Sequence, residues 1–285
     1  MPVSAATGWA LYVNLPRFEF VRLRHHFKGW VRSDFPIELI AETLKTRDRF
    51  SDLKHSPQLL KDDGKSRVVR ETFEDRAGKR WDIVVKRVRY SLPLRRLGFL
   101  VFASPASRSL RGALLLQESG VLTARPLAAI EPCGWEGLGT SFYFAEAIEG
   151  KTLYVLWREL CDEGAAKRHH LLKQLSAFVC RLHDSGVYQR DLKGSNILVQ
   201  KSADGEDDFV LVDTDGVRCM HSLRWRKRIK NLIQVCRLHR LSERDKVWFL
   251  REYFRRCDIP GRRIKSSVKR VVRLTRSNSR IRRQA

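Results

Sequence analysis

The chain has 285 residues, 43% of them hydrophobic, enough for a substantial core and too apolar for wholesale disorder. Fifty-six Lys and Arg against 32 Asp and Glu leave a formal charge of +24, a field that draws phosphate, nucleic acid or anionic lipid. Six scattered cysteines without a CxxC pair point away from a zinc site or compact disulfide framework and toward a reducing, intracellular setting with inert thiols.

The opening "MPVSAATGWALYVNLP" lacks the basic start and continuous apolar core of a secretory signal. No apolar run approaches the roughly 18 residues of a membrane-spanning helix. Residues 1–56 form a basic lead-in in which "IELIAETLK", 37–45, predicts a short helix. "SRVVRETF" and "RAGKRWDIVVKRV" predict an antiparallel hairpin that carries Val84 and Val85 into Lys86. Residues 107–120 predict a helix ending at Gly120, and "SFYFAEAIEG" a strand that runs into a connector.

Beyond residue 150 the period turns helical. In "LLKQLSAFVCRLHDSG", Leu172, Leu175, Val179 and Leu182 recur on one face, and Gly186 stops the helix. "NILV" and "FVLVD" flank an acidic, glycine-containing turn and predict a second hairpin. From about residue 221 the chain is helical and basic. The order of elements is α+β: a β-rich region at 57–147, a mostly helical one at 148–261, and a basic tail at 262–285.

Polar residues crowd before one strand in "YQRDLKGSNILV". Each has a plain structural explanation. Asp191 and Arg190 suit a surface ion pair; Lys86 suits a solvated strand lysine. Asp215 suits a turn, with a metal ligand as the alternative. His183 suits a packed, hydrogen-bonding position. Asp213, closing the apolar "FVLV", is costly unless used or paired. In series, though, Lys86, Asp191, Lys193, Asn196 and Asp213 are the groups phosphoryl transfer requires: cations and hard oxygen ligands that position and neutralise phosphates.

"RDLKGSN" resembles the catalytic loop of the protein-kinase-like fold, "FVLVDTD" its metal-binding segment and "IVVKR" its nucleotide-lysine strand. Within that superfamily, "LLKDDGKSRVV", "GVLTARPLA", "LHDSGVYQRDLKGSNIL", "VDTD" and "RDKVWFLREYF" are similar to the lipopolysaccharide core kinases that act on heptose and Kdo (3-deoxy-octulosonate), over residues 57 to 257. The resemblance implies a two-lobed α+β kinase-like fold, with ATP and Mg²⁺ as cofactors and a core-sugar hydroxyl as acceptor. It implies work at the cytoplasmic face of the membrane. Asp191 would orient or deprotonate the acceptor and Lys193 would reach the transferred phosphoryl. Asn196 and Asp213 would hold Mg²⁺, Lys86 would clamp the α- and β-phosphates, and Glu146 to Ile148 would present backbone groups to adenine.

The chain departs from protein kinases in several places. Gln189 replaces the histidine before Arg-Asp, and "DTDG" replaces Asp-Phe-Gly. No APE-like element follows, so a docked protein substrate is not implied. The phosphate-covering loop has only Gly64. The helix glutamate that pairs with the strand lysine has no match: Ser109 stands near its position and Glu118 lies at the far end.

The segment 261–285 holds ten basic residues and no acid, with Ile264, Val268 and Val271 at helical spacing. It predicts either a basic amphipathic helix on an anionic membrane or a solvated tail. The tail carries no aromatic side chain to stack on bases, so nucleic acid is not the expected partner, and no protein partner is implied. A nucleotide-binding pseudokinase scaffold and a basic RNA-associated protein are the rival readings.

Overall fold

The computed structural model describes residues 17–23, 27–45, 58–89, 103–133, 140–202, 205–257, 259 and 261–281, which group into two compact units. One comprises 1–114 and 124–147; the other comprises 115–123 and 148–285.

The first unit is built on a seven-stranded antiparallel sheet. Its strands are β1 (Phe18–Leu23), β2 (Phe27–Arg32), β3 (Gln58–Asp62), β4 (Ser66–Glu74), β5 (Arg80–Arg89), β6 (Pro126–Pro132) and β7 (Thr140–Glu146), in the order β1-β2-β6-β7-β5-β4-β3. The lead-in therefore supplies two strands and the short helix α1 (Ile37–Lys45). The expected hairpin is β4–β5, paired from Ser66↔Val88 to Glu74↔Arg80. Asp75 shapes its turn by accepting from the Ala77 and Lys79 amides and from Trp81 Nε1.

Strand alternation sorts this sheet into two faces. Ile83, Val85, Phe142 and Phe144 pack with Phe35, Leu39, Ile40 and Leu44 of α1 and its lead-in. Tyr143, Ala145 and Ala129 pack with Ala106, Leu110 and Ala113 of α2 (Pro105–Glu118). Covered on both sides, β6 and β7 read as nearly unbroken apolar runs.

In the second unit, α3 (Leu153–Leu160) precedes the 20-residue α4 (Ala165–Asp184), whose Leu172, Leu175, Val179 and Leu182 are buried as their spacing predicts. Beyond Gly186 comes β9 (Val187–Gln189), then a 3-10 turn at Gly194–Asn196. The second hairpin is β10 (Ile197–Lys201) with β11 (Asp207–Leu211); the short β8 (Lys151–Thr152) adds to β10, and β12 (Val217–Cys219) pairs β9. Three helices follow: α5 (Trp225–Val235), α6 (Glu243–Arg256) and α7 (Gly261–Ile281).

Two expectations are corrected here. Cys180 on α4 and Cys257 after α6 are joined as a disulfide rather than standing as thiols. They lie 77 residues apart in sequence, and the packing of α4 on α6 brings their Cα atoms to 5.9 Å. The basic tail, over the described residues, is neither solvated coil nor an apolar face free for lipid. Val271 and Val272 of α7 are buried in the core, and Ile264 and Val268 pack against it.

Candidate active site

Two short pairings fix the loop that carries the polar cluster. Strand β9 is held to β12 with Gln189 opposite Val217, and the Arg190 amide donates to Gly216 O at 3.1 Å. At the loop's far end the Val212 amide donates to Asn196 O at 3.2 Å, as β10 enters its hairpin. The loop is thus clamped at both ends by strands whose apolar residues Ile197, Phe209 and Leu211 are buried.

Between the clamps, Lys193 Nζ donates to Asp191 Oδ2 at 2.7 Å. The Asp191 and Lys193 side chains are 46% and 48% exposed, and an ion pair so exposed is worth at most about 1 kcal/mol, so a substrate can separate it. Asn196 Nδ2 donates to Asp191 O at 2.9 Å and lies 3.4 Å from Asp191 Oδ2. A backbone carbonyl only accepts, so this contact orients the amide and leaves Asn196 Oδ1 on its other side. Asp213 and Asp191 line one polar cavity of about 320 Å³, together with Gln189, Arg190, Asp215 and Gly216.

Gln189 and Arg190 tie the segment 213–215 to the loop 190–196. Gln189 Nε2 donates to Asp213 O, and Arg190 Nη2 donates to Asp215 Oδ1 at 2.7 Å. The partner of Arg190 is thus Asp215, not Asp191. Gly216 lies under this brace: a Cβ there would sit 2.6 Å from Gln189 Oε1 and 2.8 Å from Arg190 Cβ, so no side chain fits.

The other predicted residues are placed as follows. Lys86 sits on β5 of the sheet unit, opposite Val68 on β4 and Tyr143 on β7, which puts it on the sheet face covered by α2. Glu146 ends β7; its amide donates to Arg125 O at 3.0 Å and its carboxylate pairs with the Arg125 guanidinium. Ile148 is half-buried and begins the longer segment of the second unit. The one acid of α2 is Glu118, in its last turn, while Ser109 is buried.

Two residues of α5 escaped the sequence reading. Asn231 Nδ2 donates to Gln189 O at 2.6 Å, and Gln234 contacts the peptide groups on both sides of Asp191. The available signal was a pair of amides three apart on the stripe that also carries Leu232 and Val235, where an unpartnered polar group is costly.

The residue types fit a magnesium ion: the Asp213 carboxylate lines the polar cavity, and Asn196, hydrogen-bonded to Asp191, carries an amide oxygen; both are hard ligands of the kind magnesium takes.

A solved structure of WaaP in complex with acyl carrier protein matches 84% of this chain and 96% of that one, with a TM-score of 0.57 and 21% identity. The fold is accordingly the α+β, protein-kinase-like one that the sequence predicts. No curated protein matches the sequence. The sequence model of the lipopolysaccharide kinase (Kdo/WaaP) family matches residues 106–253, a span that includes Asp191, Lys193, Asn196 and Asp213. Since that span is more than half of the chain, the protein belongs to the lipopolysaccharide kinase (Kdo/WaaP) family.

Proposed function

We propose that the protein transfers the γ-phosphoryl group of ATP to a sugar hydroxyl, heptose or Kdo, of the lipopolysaccharide inner core. The observation that carries the reading is the cavity lined by Asp191 and Asp213, with Lys193 and Asn196 bonded to Asp191 at its edge. Phosphoryl transfer asks a protein for positioning and charge neutralisation more than for covalent work. Asp191 orients the acceptor hydroxyl and takes its proton. Lys193, released from its exposed pair with Asp191, neutralises the moving phosphoryl. Asn196 and Asp213 would hold Mg²⁺, which neutralises the nucleotide phosphates. Lys86 clamps the α- and β-phosphates, and the backbone from Glu146 to Ile148 receives adenine.

The proposed setting is the inner face of the cytoplasmic membrane. The +24 charge favours an anionic surface, and no helix among the described residues is long and apolar enough to cross a membrane. The solved WaaP structure holds an acyl carrier protein, so a protein of that class is a further proposed partner here.

Purified protein supplied with ATP, Mg²⁺ and deacylated core oligosaccharide tests the reading. Transfer of phosphate is expected, with Asp191→Ala and Asp213→Ala each lowering it by about 10²–10⁴. A second reading, a nucleotide-binding scaffold, is favoured by α2 carrying no acid before Glu118. Nucleotide-dependent thermal stabilisation without turnover in the wild type would decide for the scaffold.

A further inference from the structure

A chain of polar side chains, buried at its centre, runs from Arg228 of α5 through Tyr253 of α6 and His183 of α4 back to α5 and the catalytic loop, and its hydrogens can be placed by elimination. Arg228 only donates; its Nη1 reaches Tyr253 OH at 3.3 Å. Tyr253 is fully buried, and its own hydrogen finds its acceptor at His183 Nδ1, 2.8 Å away. His183, also fully buried, therefore carries its proton on Nε2 and donates to Asn231 Oδ1 at 3.3 Å. Burial pushes Tyr253 up to about 12 and His183 down to about 3, so both stay neutral across the range where proteins are stable.

With its oxygen so engaged, Asn231 donates through Nδ2 to Gln189 O at 2.6 Å and to Gln234 Oε1 at 2.9 Å. The far end fixes the same direction independently. The Leu192 amide can only donate, and it does so to Gln234 Oε1 at 3.2 Å; Arg190 O can only accept, and it does so from Gln234 Nε2 at 2.7 Å. The two ends agree on every tautomer and amide orientation between them.

We propose that Gln234 is a positioning residue for the catalytic loop: it grips the peptide groups on either side of Asp191, oriented by the relay Arg228–Tyr253–His183–Asn231. Residue 234 touches no reacting atom in this assignment. It acts by holding the Asp191 carboxylate in place, since a displacement of about 1 Å at a reacting group is worth on the order of a hundredfold in rate. The effect on turnover rests on the phosphotransferase reading; the grip itself does not.

The experiment compares Gln234→Leu, Gln234→Glu and the exposed-face control Lys230→Gln, with thermal unfolding confirming that each is folded. Hydrogen exchange at the Leu192 amide reads the grip, and kcat against KM reads its consequence. Gln234→Leu should speed Leu192 exchange about tenfold or more, since the amide loses its acceptor. It should also lower kcat roughly 10–100-fold with the nucleotide KM little changed. Gln234→Glu keeps an acceptor for Leu192 and loses the donor to Arg190 O, so exchange should stay near wild type while kcat falls. Lys230→Gln should alter neither.

Unchanged Leu192 exchange in Gln234→Leu overturns the grip, and faster exchange with wild-type kcat overturns its role in positioning. If the wild type has no turnover, the phosphotransferase reading fails while the exchange data still decide the grip.

Discussion

Single side chains in this protein are constrained most tightly where polar groups lie inside the second unit. His183 is the clearest case: its ring is enclosed by Tyr253 of α6 and Asn231 of α5, with Arg228 adding positive charge, and burial holds its pKa near 3. In the unfolded chain the same group titrates near 6.5. As the pH falls from about 6.5 toward 3, the unfolded state binds a proton that the folded state refuses. Stability therefore drops through that window, by a few kcal/mol at its lower end, and is flat above it. The depressed carboxylates, such as Asp34 and Asp75, lose their contribution only at lower pH, so the upper part of the window isolates the histidine. Denaturant midpoints measured from pH 7 to 5 should slope in the wild type and flatten in His183→Gln; equal slopes would refute the assignment. Gly186 is constrained by backbone instead. Its φ is +72°, and a Cβ would lie 1.9 Å from Met220 O. Gly186→Ala should cost at least about 1–3 kcal/mol in equilibrium unfolding, from the left-handed conformation alone.

Among the elements, α7 departs furthest from what its composition suggests. Sequence alone allows a lipid-seeking amphipathic helix or a loose tail, because a stripe of Ile264, Val268 and Val271 ringed by cations fits both. Packing decides: the stripe faces the core of the second unit, Thr275 is buried beside it, and Arg276 forms a two-pronged pair with Glu243 of α6. Residues 263–276 are thus structural. Two fully packed valines and two partly buried neighbours amount to roughly several kcal/mol of apolar burial. Truncation at 261 should lower the melting temperature by ten degrees or so for a domain of this size, read by calorimetry. A truncated chain that melts like the wild type would show that the helix is not docked.

The charge of the whole molecule acts by a different route from its core. With its apolar stripe used internally, α7 offers solvent Arg263, Lys265, Lys269, Arg270 and Arg273, and no acid. Attraction of this face to an anionic bilayer is then expected to be chiefly Coulombic. The screening length shrinks from about 10 Å at 0.1 M salt to about 3 Å at 1 M, so co-sedimentation with phosphatidylglycerol vesicles should be strong at the first and lost at the second. Replacing Lys265, Lys269, Arg270 and Arg273 together by Gln should weaken binding at low salt without unfolding the protein. Salt-resistant binding would mean that apolar insertion operates somewhere else in the chain.

Much of this was written locally. The periods of 2 and 3.6, the turn at Asp75, the stops at Gly120 and Gly186, and the loop "RDLKGSN" beside its strand are all short-range patterns. They locate the hairpins, the helix α4 and the residues Asp191, Lys193 and Asn196, because backbone propensity and side-chain alternation act within a few residues. What sequence left open depends on which segments meet. The partner of Arg190 lies 25 residues away at Asp215, Cys180 meets Cys257 across 77 residues, and the amides that grip the catalytic loop come from α5, more than 40 residues on. Pairings of that kind are selected by the burial of whole faces and by the need to satisfy every enclosed polar group. Only the folded chain brings those faces together.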